Sequence, residues 1–183
     1  LAKKVTQMDI QGTLVSIWRE ACRHIEIGES TAAIAEVLAP KLGFEAIIIR
    51  RLDISQMHLE TVAVAPRTLP GTGPRVTPLS RTVLSRLLEW FSRQRLWRIP
   101  QDRPFDGLDF RDLVGEVNVP ILVGGLISGQ TPTGLLAIVG GPGRETFSEA
   151  EVTLVQQLLE PFAVALENDQ RLREMATLRE RSE

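Results

Sequence analysis

Two pairs of strand-like segments constrain the fold of this chain more than any other feature. Residues 44–53 are rich in branched apolar side chains, and residues 57–65 alternate polar and apolar side chains after a short polar stretch. Two further runs, residues 117–127 and 133–141, flank the short turn sequence SGQTPT. Each pair is typical of a β-hairpin. Pro120 must then lie at an edge or a bulge, where its missing N–H does no harm.

Two helices are predicted before the first hairpin. The first, over residues 13–27, has apolar side chains on one side at helical spacing: Leu14, Trp18, Ala21 and Ile25. The second, over residues 30–42, is expected to begin with Ser30 or Thr31 as its cap and to stop before Gly43. Its apolar face contains Ile34, Val37 and Leu38.

A third helix is predicted between the hairpins. Thr77 as a cap and Pro78 in the first turn favour a helix start, and the helix then runs to about Arg95. Residues 96–99 form a candidate short strand, and residues 66–76 and 101–116 are expected to be irregular. Hairpin-connected strands flanked by helices predict an α+β fold, in which helices pack on an antiparallel sheet.

The last helix has the clearest start in the chain. Ser148 and Glu151 have the spacing of a capping box, and Phe147 with Val152 has that of a hydrophobic staple. A row of apolar residues follows at Val155, Leu159, Phe162 and Leu166, and it continues more weakly at Leu172, Met175 and Leu178. Pro161 is expected to bend the helix. Because no Gly, Asn or Pro closes it, we expect the chain to be a fragment whose helix continues.

Composition narrows the classes of function. The formal net charge is −2, so nothing global indicates a nucleic-acid partner. The single cysteine, Cys22, excludes an intramolecular disulfide framework and any site that needs several thiolates. We expect it to be a small buried or interface residue, the alternative being a redox-sensing thiol. With no signal peptide and no long apolar run, the predicted location is cytoplasmic.

The second half of the chain resembles the closing half of a GAF domain. Residues 117–168 have the Pro of the fourth strand, the Gly that opens the fifth, and a Phe followed by an acidic residue, at Pro120, Gly134, Phe147 and Glu151. The helix closes with Ala165, Leu166, Glu167 and Asn168. The first half fits more loosely. The resemblance implies an antiparallel sheet of five or six strands, helices on both faces and a long C-terminal helix. The related PAS fold is the structural alternative.

GAF domains are mostly small-molecule sensors within larger signalling proteins. The resemblance therefore implies a sensor domain over residues 1–168, with residues 169–183 beginning a linker helix to an output domain. The arrangement is most similar to the amino-terminal region of sigma-54-dependent AAA+ transcription regulators. Histidine kinases and cyclic-di-nucleotide enzymes use the same module. We expect a homodimer through the terminal helices, since an isolated charged extension is marginal in water. The alternatives are a frayed, solvated helix and a dimerisation module without ligand.

The chemistry of catalytic or cofactor-binding relatives is not matched. Reduction of free methionine sulfoxide needs a resolving thiol besides Cys22, and residues 77–98 lack the Cys and His that bilin-binding relatives carry. His24 and His58 are isolated, and three aspartates share one loop without recognised metal-ligand spacing, namely Asp102, Asp106 and Asp109. The sequence therefore predicts no enzyme, no cofactor, no metal, no direct nucleic-acid contact and no membrane contact.

The candidate ligand site lies where GAF pockets usually lie, between the sheet and the middle helix with its loops. Arginines outnumber acids in this region, and inward-pointing guanidinium groups would suit a carboxylate or phosphate. Three aromatic rings provide apolar walls. The predicted site comprises Arg75, Arg81, Trp97, Phe105, Phe110 and Arg111. The alternatives are that the arginines are solvated and that the rings fill the core.

Overall fold

The described residues contain one sheet of six strands. The computed structural model describes residues 7–66, 75–93, 96–100, 113 and 118–182. The strands are β1 Phe44–Asp53, β2 His58–Ala65, β3 Val76–Pro78, β4 Leu96–Ile99, β5 Ile121–Ser128 and β6 Thr131–Gly140. Their order across the sheet is β3-β2-β1-β6-β5-β4. All pairings are antiparallel.

Both predicted hairpins are confirmed, and so is the short strand β4. β1 pairs with β2, β5 pairs with β6, and the central β1–β6 pairing joins the two hairpins into one sheet. The second turn is tighter than predicted, because the strands continue to Ser128 and Thr131. Gly129 has a φ of 63°, which glycine adopts without strain. Pro120 lies just before β5, and its carbonyl accepts a hydrogen bond from Gly140 N at 2.8 Å.

The two N-terminal helices begin and end elsewhere than predicted. Helix α1 spans Gln7–Arg23 and α2 spans Ile27–Leu38. Ile25 lies between them and is 59% exposed, whereas Ile17 faces the core. Ser30 and Thr31 lie inside α2 and are buried, so neither is its cap. The acceptor for the first amide of α2 comes instead from Asp169, far along the chain.

The start of the third helix was also predicted wrongly. Thr77 and Pro78 belong to β3, where they pair with Leu59 and His58 of β2. Helix α3 spans Arg81–Arg93, and the hydroxyl of Ser80 accepts a hydrogen bond from Val83 N at 3.2 Å. The predicted end near Arg95 falls outside the described residues.

Helix α4 spans Glu149–Ser182 and starts as the sequence predicts. Ser148 N donates to Glu151 Oε1 at 2.9 Å, and Glu151 N donates to Ser148 Oγ at 3.2 Å, which confirms the capping box. The predicted apolar residues Val155, Leu159, Phe162 and Leu166 are all buried. The helix is continuous through Pro161. Asp169 is its last buried residue, and residues 171–182 are exposed.

Replacing Ser148 with Ala is expected to lower the free energy of unfolding by about 1 kcal/mol, because the amide of Glu151 loses its acceptor. Urea unfolding measures the change. Ser182→Ala is the matched control, since that hydroxyl donates to Leu178 O in the exposed end of α4. Equal stability losses in the two variants would show that the capping box contributes nothing specific.

The sheet separates two apolar layers. One side, which we call the α4 face, packs Ile47 and Leu136 against α1, α2 and α4. The other side, the α3 face, packs Ile48 and Val123 against α3. Helices on both faces of an antiparallel sheet, with a long C-terminal helix, confirm the predicted fold class. No helix in the described part of the chain is long and apolar enough to cross a membrane.

Candidate functional site: two adjacent arginines of β1

Two charged residues lie side by side in the otherwise apolar strand β1. Successive side chains of a strand point to opposite faces of the sheet. Arg50 accordingly lies on the α3 face, where it is 4% exposed, and Arg51 lies on the α4 face with 15% of its side chain exposed. Neither residue is among the predicted ligand residues, although the adjacent charges in FEAIIIRRLD are a signal that the sequence offers.

Arg50 joins three segments on the α3 face. Its Nη1 donates to the carbonyl of Leu113 at 2.5 Å. Its Nη2 donates to Thr77 Oγ1 at 2.8 Å and to Leu59 O at 3.2 Å. Burial lowers the pKa of Arg50 from its ordinary value, because a low-dielectric surrounding disfavours the charged form. The guanidinium therefore links β2, β3 and Leu113 to the central strand β1 by hydrogen bonds.

Arg51 joins the sheet to α4 through a buried carboxylate. Asp169 is 2% exposed. Its Oδ2 accepts hydrogen bonds from Arg51 Nη2 at 2.8 Å and from Arg173 Nε at 2.9 Å. Its Oδ1 accepts a hydrogen bond from the first amide of α2, Ile27 N, at 3.0 Å. We call these four residues the Asp169 joint.

The electrostatics of the joint explain how a carboxylate is accommodated in the core. Two guanidinium groups and the positive end of α2 face the carboxylate, and charge-assisted hydrogen bonds of this kind are strong. Burial lowers the pKa of Arg51, the positive charge of Arg173 lowers it further, and attraction to Asp169 acts against both. The joint thus fixes α2, β1 and α4 relative to one another at the point where α4 leaves the core.

Of the six predicted ligand residues, the structure describes Arg75, Arg81 and Trp97. Arg75 and Arg81 are exposed at the starts of β3 and α3. Trp97 is 1% exposed and packs against Trp90 with ring centroids 5.9 Å apart, so it is part of the α3-face core. Phe105, Phe110 and Arg111 lie outside the described residues.

Cys22 and His24 lie at the C-terminal end of α1. Cys22 is exposed on α1, so the expectation that it is buried in this chain is wrong. His24 Nε2 lies 2.9 Å from Glu20 Oε2, one helical turn away. Within the described residues, no cluster of three or more His, Cys, Asp or Glu side chains is arranged to hold a metal ion.

The surface grooves formed by the described residues include two of several hundred Å³ on the α4 face. One, of about 800 Å³, runs between α2 and β2 and has an apolar floor that includes Ala63 and Ala65. The other, of about 620 Å³, lies beside the Asp169 joint and is lined by charged side chains of both signs, among them Arg51, Asp53, Glu60 and Arg171. Both open to solvent, and the second also contains Ser55 and His58.

Comparisons with known proteins identify the fold. No protein-family model and no curated protein sequence matches the chain. Solved structures do match. The GAF domain of a phosphoenolpyruvate-protein phosphotransferase from Coxiella burnetii is 14% identical over 92% of this chain and 99% of that chain, with a TM-score of 0.65. Its counterpart from Acinetobacter is 17% identical over 91% and 96%, with a TM-score of 0.64.

A third similar structure carries a ligand. The phycoerythrobilin-bound GAF domain of a cyanobacterial phytochrome is 17% identical over 87% of this chain and 95% of that chain, with a TM-score of 0.61. At such identities the similarity establishes the arrangement of the backbone and not the ligand. Together with the six-stranded antiparallel sheet and the long α4 helix, these matches show that the chain has the GAF fold.

Proposed function

We propose that this chain is a regulatory sensor domain, without catalytic activity of its own. A small molecule binds on the α3 face of the sheet, and its presence changes how α4 is held. The observation that supports this proposal best is the path of α4. Its first half is part of the domain core, and the same helix continues, exposed, beyond the Asp169 joint. A ligand that favours one packing of the core therefore biases the helix that leaves it.

The exposed half of α4 supports a homodimer as the signalling form. Leu172, Met175 and Leu178 are 41%, 61% and 63% exposed and lie on one side of the helix at spacings of three residues. Charged side chains surround them. A helical extension of this kind is marginal in water without a partner. We propose that it pairs with the terminal helices of a second copy, its own α4 or α1, where Val15 is also exposed.

Changing Met175 and Leu178 to Glu together is expected to weaken dimerisation roughly a hundredfold or more, since both are central apolar contacts in the proposed interface. Light scattering over a dilution series measures the dissociation constant. Thr177→Glu is the matched control, because at 100° per residue it lies on the opposite side of α4. Equal dissociation constants for the double variant and the unaltered chain would contradict pairing through this surface.

We propose further that the ligand is an anion, such as a carboxylate or phosphate. Arg75 and Arg81 present exposed guanidinium groups where β3 and α3 begin. Together with Arg111 they would bind the anion, and Phe105 and Phe110 would cover its apolar part. Trp97 would form the core behind the site. Guanidinium groups favour this chemistry because they bind carboxylate and phosphate in a bidentate manner.

A thermal-shift screen tests the anionic ligand. The panel contains small carboxylates, phosphates and neutral analogues of matched size. An anion present at about 100 times its dissociation constant should stabilise the chain by about 2.7 kcal/mol. Arg81→Ala and Arg111→Ala should remove this stabilisation while leaving the melting temperature without ligand unchanged. Stabilisation by the neutral analogues alone, or full retention in both variants, would overturn the proposed anionic class.

A dimerisation module without ligand is the second candidate. The packing of Trp90, Phe91 and Trp97 on the α3 face favours it, because these rings already fill a large part of that layer. This candidate predicts a dimer that no member of the panel stabilises.

For the cellular setting we propose the regulatory region of a sigma-54-dependent AAA+ transcription regulator. The sequence resemblance of the helices and the GAF segment supports this setting. A histidine kinase or a cyclic-di-nucleotide enzyme is the alternative, and the domain itself would work in the same way in each of these proteins.

A further inference from the structure

Arg50 and Arg51 are consecutive residues of β1, and their side chains make hydrogen bonds on opposite faces of the sheet. We propose that these two residues form a coupling element that passes displacements of the segments bound by Arg50 to α4 through the Asp169 joint. The inference rests on the proposed sensor function and assigns the residues through which its signal crosses the sheet.

The α3 end of the coupling element is held by hydrogen bonds to separate segments. The planar guanidinium of Arg50 donates hydrogen bonds to three acceptors on the α3 face, at Leu59 of β2, Thr77 of β3 and Leu113. Because the planar group has a fixed donor geometry, displacing one acceptor reorients the whole group or breaks its other bonds. A ligand that shifts β3 or the position of Leu113 therefore acts on the side chain of Arg50.

The backbone at the same level touches α4 directly. Arg51 pairs with Gly134 of β6. A Cβ placed at Gly134 would collide with the carbonyl of Arg50 and lie 2.8 Å from Leu166 Cδ2 of α4. Without that Cβ, Leu166 packs against the strand backbone itself. The β1–β2 register also shifts between Ile49 and Arg50, and such an irregularity locally disrupts the ladder of hydrogen bonds.

The α4 end of the element is the Asp169 joint. A displacement of Arg51 changes its bond to the carboxylate, and the same carboxylate holds Ile27 of α2 and Arg173 of α4. Arg173 lies in the exposed part of the helix. A displacement of Arg51 therefore alters the hydrogen bonds of Asp169, at the end of the buried part of α4, and of Arg173, at the start of its exposed part.

Amide hydrogen exchange, followed by NMR without any ligand, tests the coupling. Arg50→Met should raise the exchange rate of the Ile27 amide roughly fivefold or more, although Ile27 lies on the other face. Thr77→Val, a milder change, should act in the same direction. The coupling should also act in the opposite direction. Arg51→Met should raise the exchange rate of the Leu79 amide by a similar factor, although this amide donates to Met57 O on the α3 face. Rates are normalised to amides of β5 and β6.

Leu87→Ala is the control, because it removes a buried side chain of α3 that is not one of the three acceptors of Arg50 described above. It should leave the normalised Ile27 rate unchanged. The coupling would be overturned if Arg50→Met and Thr77→Val raised amide exchange rates on the α3 face alone. It would also be overturned if Leu87→Ala raised the normalised exchange rate of Ile27 as much as Arg50→Met does. Neither result bears on ligand binding, which the thermal-shift screen measures separately.

Discussion

Replacing Asp169 with Ala is expected to lower the free energy of unfolding by about 3–5 kcal/mol, which is typical when one partner of a buried ion pair is removed. The change deprives the first amide of α2 of its acceptor and leaves Arg51 without its carboxylate. Urea unfolding of the purified chain measures the loss. The exposed part of α4 should also become less ordered, because Arg173 loses its anchor.

Two further variants separate the contributions to this effect. Asp169→Asn keeps an oxygen for Ile27 N but removes the charge, so its stability should lie between those of the Ala variant and the unaltered chain. Glu174→Ala removes a carboxylate from the exposed part of the same helix and should change stability by less than about 0.5 kcal/mol. An Asp169→Ala loss as small as that of Glu174→Ala would show that the joint does not hold the fold together.

The second large effect is expected at Gly134, where Ala should lower the free energy of unfolding by about 1–3 kcal/mol. The added methyl group would meet the carbonyl of Arg50 and the side chain of Leu166. The carbonyl belongs to a strand paired on both sides, so it has little room to move. Thermal and urea unfolding both measure the change.

Gly141→Ala is the matched control for this prediction. A Cβ at Gly141 has nothing within 4 Å, and its φ is outside the left-handed region. That variant should be as stable as the unaltered chain or slightly more so, since Ala restricts the unfolded state. If Gly134→Ala proved equally harmless, α4 and β1 would not pack as closely against Gly134 of β6 as the structure indicates.

Features that are specified locally could be predicted from the sequence. The hairpins follow from alternation and short connections, and the start of α4 follows from Ser148 and Glu151, which are neighbours on the same turn. The start of α2 could not be found in this way. Its first amide is bonded by Asp169, 142 residues further along the chain, so no nearby residue marks the start.

The errors at Thr77 and in the candidate site have the same physical origin. Thr77 and Pro78 have the local pattern of a helix start, but pairing with β2 places them in a strand, and the helix begins a few residues later. The alternation of β1 predicts that Arg50 and Arg51 face opposite sides of the sheet. It contains no information on their partners Leu113 and Asp169, which only the folded chain brings to them.

The most direct test of the sensor account is native mass spectrometry of the purified chain, compared with its mass under denaturing conditions. The account predicts a dimer that carries additional non-covalent mass, which identifies the bound small molecule. It also predicts that this mass is lost when the chain is unfolded and refolded in the absence of cell components. A monomer with no additional mass would contradict both the proposed ligand and the proposed pairing through α4.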